Sequence, residues 1–142
     1  MKKFMFLICA VAAALLVGCG KDPLAEVRSA AERGDADAQY ELCMRYSKGD
    51  GVAQDLDEAL NWGVKAIEQG HEKAFMWLRD SAEQGFVQSQ YRLGWCYYES
   101  RRVPKNHALS VKWWTEAAKQ GHVHALYDLA GCYYYGDGTE QD

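Results

Sequence analysis

The chain has 142 residues, a formal net charge of -4, 49% apolar side chains, 25% charged side chains and only two prolines. That balance describes one globular domain and excludes a disordered or collagenous chain. Lys2 and Lys3 open the sequence and lead into an apolar run from Phe4 to Val17. The run is too short for a spanning helix, which needs about 20 residues, and has the basic and apolar regions of a secretory signal over residues 1–18. Without that segment the net charge falls to -6. Nucleic acid, which is held by clustered Lys and Arg, is therefore not the expected partner.

The signal ends in Leu16-Val17-Gly18-Cys19. This segment resembles the lipobox of bacterial lipoproteins, in which the Cys is acylated and becomes the mature N-terminus. An ordinary signal peptide with an incidental Cys is the alternative. The resemblance implies a lipid on Cys19, a tether over residues 19–23 and a membrane-held domain over residues 24–142. One acyl chain binds a bilayer only marginally, whereas two or three hold almost permanently, since each buried methylene contributes about 0.8 kcal/mol. Gly20, not Asp, follows Cys19. In the sorting code that the resemblance implies, this directs the protein to the outer membrane, facing the periplasm.

Further along, Gly34 to Tyr46 aligns without gaps with Gly85 to Tyr97 and with Gly121 to Tyr133. Likewise Ala59 to Gly70 aligns with Ser110 to Gly121, and Trp62 and Trp113 each stand eight residues before their Gly. The period is 36 residues, both from Gly34 to Gly70 and from Gly85 to Gly121. A period in this range, carrying two helical patterns joined by a Gly-rich turn, marks stacked helix pairs. Ala38, Leu42 and Tyr46 recur at i, i+4 and i+8 on one helix face, and small residues such as Cys43, Gly94 and Ala130 share one position, which lets helices approach closely.

The motif is a small residue, a Leu and a Tyr on helix A, a Gly-rich turn, then an aromatic and Ala-Ala-x-x-Gly on helix B. It reads Ala38, Leu42, Tyr46, Gly49-Asp50-Gly51-Val52, Trp62, Ala66, Gly70, then Ser89, Leu93, Tyr97, Val103-Pro104, Trp113, Ala117-Ala118, Gly121. These residues resemble the Sel-1-like repeat (SLR), a longer relative of the tetratricopeptide repeat. The resemblance implies an all-α fold, an α-solenoid of antiparallel helix pairs over most of residues 24–142.

Two departures from the pattern stand out. Only fifteen residues separate Gly70 from Gly85, and Ala74, Trp77 and Ala82-Glu83-Gln84-Gly85 read as helix B, so one helix A and its turn are missing. An odd helix at that point interrupts the up-down alternation and calls a continuous superhelix into question. The sequence given also stops at Gly136-Asp137-Gly138 and four further residues, where a helix B is due. Either the array is truncated there, or Leu126, Leu129 and Tyr133 find another partner.

Catalytic patterns are not evident. The sequence holds no Gly-x-Ser-x-Gly, phosphate-cradling loop, Cys-x-x-Cys or His-Glu-x-x-His. His71, His122 and His124 sit at expected helix starts without metal-ligand spacing. Asp50, Asp55 and Asp57 lack the order of a calcium loop. No catalytic residue, metal or cofactor is therefore expected. Cys43, Cys96 and Cys132 have no second Cys on a facing helix B and read as free thiols.

By analogy with tetratricopeptide arrays, the positions flanking the packed Leu of helix A face a concave groove. They are Tyr40, Met44 and Ser47, then Tyr91, Trp95 and Tyr98, then Tyr127, Gly131 and Tyr134. Such a stripe is either packing for a neighbouring helix or a binding surface, since Tyr and Trp in a concavity make interface hot spots. The expected function is a membrane-anchored, periplasm-facing module that binds a protein or peptide. An immunity or inhibitor protein against a secreted toxin is the first rival, and a cell-wall-acting enzyme the second.

Overall fold

A computed structural model describes residues 23–99 and 101–138. The signal segment 1–18, Cys19 and the tether as far as residue 22 lie outside the described residues. Among the described residues seven α-helices follow one another: α1 (Pro23–Glu32), α2 (Ala36–Lys48), α3 (Leu56–Glu68), α4 (Glu72–Glu83), α5 (Val87–Glu99), α6 (His107–Lys119) and α7 (Val123–Tyr135). Among the described residues there is no strand, and no helix is long and apolar enough to cross a membrane.

Local chemistry sets the helix ends. Side chains of Asp35, Asp55, His71, Asn106 and His122 each accept an N–H three residues on, at 2.9–3.1 Å, satisfying a donor that the first turn leaves free. At the other end Gly49 and Gly136 close α2 and α7 at φ 74° and 72°, in the left-handed region where a side chain is penalised.

Each helix packs on its neighbours in chain order, so the molecule is an all-α solenoid of helix pairs. Three apolar clusters succeed one another along it. The first joins Ala31, Leu42, Cys43, Ala59 and Trp62; the second Leu60, Ile67, Ala74, Leu78, Leu93 and Cys96; the third Trp114, Ala117, Ala125, Leu129 and Cys132. Leu42, Leu78 and Leu93 are wholly enclosed. The second cluster draws on α3, α4 and α5, so the packing is unbroken through residues 70–85.

The repeat copies fill their interiors by reciprocal sizes. Cys43 on α2 faces Gly63 on α3, where a methyl group would lie 3.2 Å from the sulfur. The equivalent positions of the next pair carry Gly94 and Trp114, and a methyl group on Gly94 would run into the Trp114 indole. Trp114 is thereby fully buried, its Nε1 donating to the Tyr91 carbonyl at 3.2 Å, while Trp113, aligned with the buried Trp62, is only half-buried.

The helix α4 corrects the expectation that residues 70–85 are simply a second helix B. Its start docks as a helix A does: His71 stacks on Tyr40 with ring centroids 4.5 Å apart, as His122 of α7 stacks on Tyr91 at 4.2 Å. Its end docks as a helix B does: Gln90 donates to the Ala82 carbonyl at 3.2 Å, as Gln39 donates to Ala31 of α1 at 3.0 Å. Thus α4 joins the first half of a helix A to the second half of a helix B, and the missing residues are the halves between with their turn. Both junctions keep their contacts, which is why the core runs through.

Candidate functional site, an aromatic groove

Helices α5, α6 and α7 converge on a groove of about 450 Å³ whose lining includes Trp95, Tyr98, Trp114, Tyr127, Asp128, Gly131 and Tyr134. The floor is built by edge-on aromatic packing, with Trp95 centred 5.4 Å from Trp114 and 5.8 Å from Tyr98. Tyr98 stacks on His107 at 4.7 Å, and its hydroxyl donates to Asp137 at 3.0 Å, tying the Gly136–Gly138 turn to the start of α6. The hydrogen bond to Asp137, followed by burial, raises the Tyr98 pKa above its ordinary value. Tyr91, on the same helix, is half-buried against His122, and burial above all raises its pKa as well.

The wall is different in kind. Tyr127 and Tyr134 on α7 are 81% and 80% exposed, and Tyr135 beside them is exposed too. Asp128, half-buried, adds a carboxylate that interacts with the Tyr91 hydroxyl.

The residues of the inferred stripe thus fall into three environments. Trp95 and Tyr98 form the groove floor, with Tyr91 packed beneath α7, and Tyr127, Gly131 and Tyr134 line the opposing wall. Tyr40 and Met44 lie on α2, half-buried, and do not line this groove; Tyr40 instead packs against His71 and the α3–α5 core. Trp114 and Asp128 were not singled out in the sequence. The signal for Trp114 was the bare Gly94 opposite it; none was available for Asp128.

Among the described residues no three His, Cys, Asp or Glu side chains are grouped so as to hold a metal ion. Among the described residues Cys43, Cys96 and Cys132 are buried, and burial pushes the Cys43 and Cys96 thiols up to about 12. Such thiols are poor nucleophiles at neutral pH.

The profile of the Sel1 repeat matches residues 36–71, 71–86, 87–122 and 123–142. The chain belongs to the Sel1 repeat family. The short second match coincides with the composite helix α4. Among solved structures, a Sel1 repeat protein from Oxalobacter formigenes is 37% identical, with 84% of this chain and 78% of that chain covered and a TM-score of 0.44. The c5321 protective antigen of uropathogenic Escherichia coli strains, which displays an SLR fold, is 34% identical over 89% of this chain, with a TM-score of 0.49. This chain spans 32% of that antigen's length. No curated protein matches. Sel1 repeats are typically non-catalytic scaffolds that act as protein-interaction modules.

Proposed function

We propose that the protein is a lipid-anchored, periplasm-facing Sel1 repeat module that holds a protein or peptide partner in the α5–α7 groove and carries out no chemistry itself. The observation that carries this reading is the groove that α5, α6 and α7 enclose, floored by the packed Trp95, Tyr98 and Trp114 and walled by Tyr127 and Tyr134. Large amphipathic side chains cost little conformational entropy to order and dominate interface energetics, so an aromatic-lined concavity suits a bound polypeptide. The anchoring half of the proposal rests on Lys2-Lys3, the apolar run and Leu16-Val17-Gly18-Cys19.

Photo-crosslinking decides the binding half. A benzophenone amino acid at position 134 should trap a discrete periplasmic adduct, while the same group at the exposed Glu72 should not. The double variant Tyr127→Ser, Tyr134→Ser should keep its melting temperature and lose the adduct. Adducts that persist in the double variant refute the groove. For the anchor, Cys19→Ser should end palmitate incorporation and release the protein from the outer-membrane fraction; unchanged labelling refutes it.

A further inference from the structure

A second concavity lies away from the aromatic groove and shares no lining residue with it. It is about 820 Å³ and opens where the end of α2, the start of α3, the end of α4 and the start of α5 meet. It lies at the C-terminal end of the composite helix α4, a single helix of twelve residues. Leu56, Leu60, Trp77, Phe86 and Val87 give the cleft an apolar interior. Asp55, Asp57 and Asp80 are its charged lining residues, and no Lys, Arg or His joins them. Asp55 accepts the Glu58 N–H at 2.9 Å and Asp80 lies 3.3 Å from Arg79, whereas Asp57 has no ion pair among the described residues.

Phe86 supplies the independent observation. It occupies the position held by Asp35 before α2, His71 before α4 and His122 before α7, each of which caps its helix through a side-chain acceptor. Phenylalanine has no acceptor, so α5 begins without the cap that its counterparts have, and a large apolar side chain is left 47% exposed at the cleft mouth. Both consequences disfavour the free protein. A residue that breaks a local rule without a local gain marks a surface shaped by function.

The structure assigns this cleft to a polypeptide segment that alternates Lys or Arg with bulky aliphatic side chains. Apolar side chains of such a segment would cover Leu56, Trp77 and Phe86. Its cationic groups match the carboxylates, and its carbonyls offer acceptors to the first N–H groups of α5. An acidic segment would meet the three aspartates with like charge.

The test uses full-length protein immobilised on a sensor surface and three labelled peptides of equal length. One alternates Lys and Leu, the second replaces Lys by Glu, and the third replaces Leu by Ser. The Lys/Leu peptide should bind saturably, and the other two about tenfold or more weakly. Phe86→Ser should weaken Lys/Leu binding about thirtyfold, as the loss of an aromatic anchor does. The same change restores a cap and should raise the melting temperature by about 4 °C, so lost binding is not lost folding. Asp57→Asn should weaken binding about two- to fivefold at low salt, and by nothing measurable at about 1 M salt, where the Debye length is about 3 Å. The assignment is overturned by absence of saturable binding, by equal or better binding of the Glu or Ser peptide, or by full binding to both variants. It is also overturned if the protein self-associates and Phe86→Ser makes it monomeric, because the occupant is then a second copy. None of these outcomes bears on the crosslink at position 134.

Discussion

Among the described residues three glycines lie inside helices, Gly63 on α3, Gly94 on α5 and Gly131 on α7, and replacing each by Ala separates backbone preference from packing. In a helix interior Ala is favoured over Gly by about 0.5–1 kcal/mol, so propensity alone makes all three variants more stable. Packing orders them differently. At Gly131 nothing lies within 4 Å of the added methyl group, and the full gain should be realised. At Gly63 the methyl group meets the Trp77 ring at 3.1 Å and the Cys43 sulfur at 3.2 Å, distances that require a small shift in a filled core, so gain and loss should nearly cancel. At Gly94 the methyl group collides with the Trp114 ring, which is 1% exposed and tied by its Nε1 to the Tyr91 carbonyl. Overpacking of that kind costs about 1–3 kcal/mol, leaving a net loss of about 1–2 kcal/mol after the propensity gain. At about 4 °C per kcal/mol, thermal melts followed by circular dichroism should show Gly131→Ala above the parent by a few degrees and Gly94→Ala about 4–8 °C below it. Trp114→Phe in the Gly94→Ala background should cost less than the sum of the two single changes, with a coupling of about 0.5 kcal/mol or more. A Gly94→Ala protein as stable as Gly131→Ala would refute the size reciprocity between the two helix pairs.

Leu93 is wholly enclosed in the cluster that joins α4 to α5, so Leu93→Ala should destabilise urea unfolding by about 2–5 kcal/mol; an unchanged midpoint would mean that the repeat register is wrong. His122 accepts the Ala125 N–H through Nδ1 at 3.1 Å and pairs through Nε2 with Gln88, and burial, then repulsion from His124, lowers its pKa below 6.5. Below pH 6.5 the unfolded chain then binds more protons at this site than the folded one, so its contribution to stability falls as pH drops towards the folded-state pKa; His122→Asn should flatten the melting-temperature profile between about pH 7 and 5. Cys43 and Cys96, with thiols pushed up to about 12, should resist iodoacetamide in the native protein at pH 8 and react once urea unfolds it, as read by peptide mass spectrometry.

The aromatic stripe shows where sequence reasoning reaches its limit. Tyr40, Tyr91 and Tyr127 occupy one repeat position and are indistinguishable from one another in sequence, yet Tyr40 and Tyr91 stack on the histidine that caps the next helix but one while Tyr127 is exposed. What differs is the neighbour beyond each helix, which is a property of position in the stack and not of the local sequence.

The helices, their 36-residue period and the faces on which Leu42, Leu93 and Leu129 are buried could be read from the chain, because periodicity and capping are written in residues a few positions apart. The family was legible for the same reason. Packing alone makes α4 half helix A and half helix B, since that identity lies in the partners of Tyr40 and Gln90 on neighbouring helices. It also decided that Trp114, not Trp113, fills the core, because the space for an indole is created by an absent side chain at Gly94, twenty residues away. Both clefts belong to this second class: a concavity is defined by the ends and faces that several helices leave uncovered, and no single stretch of chain encodes what its neighbours fail to fill.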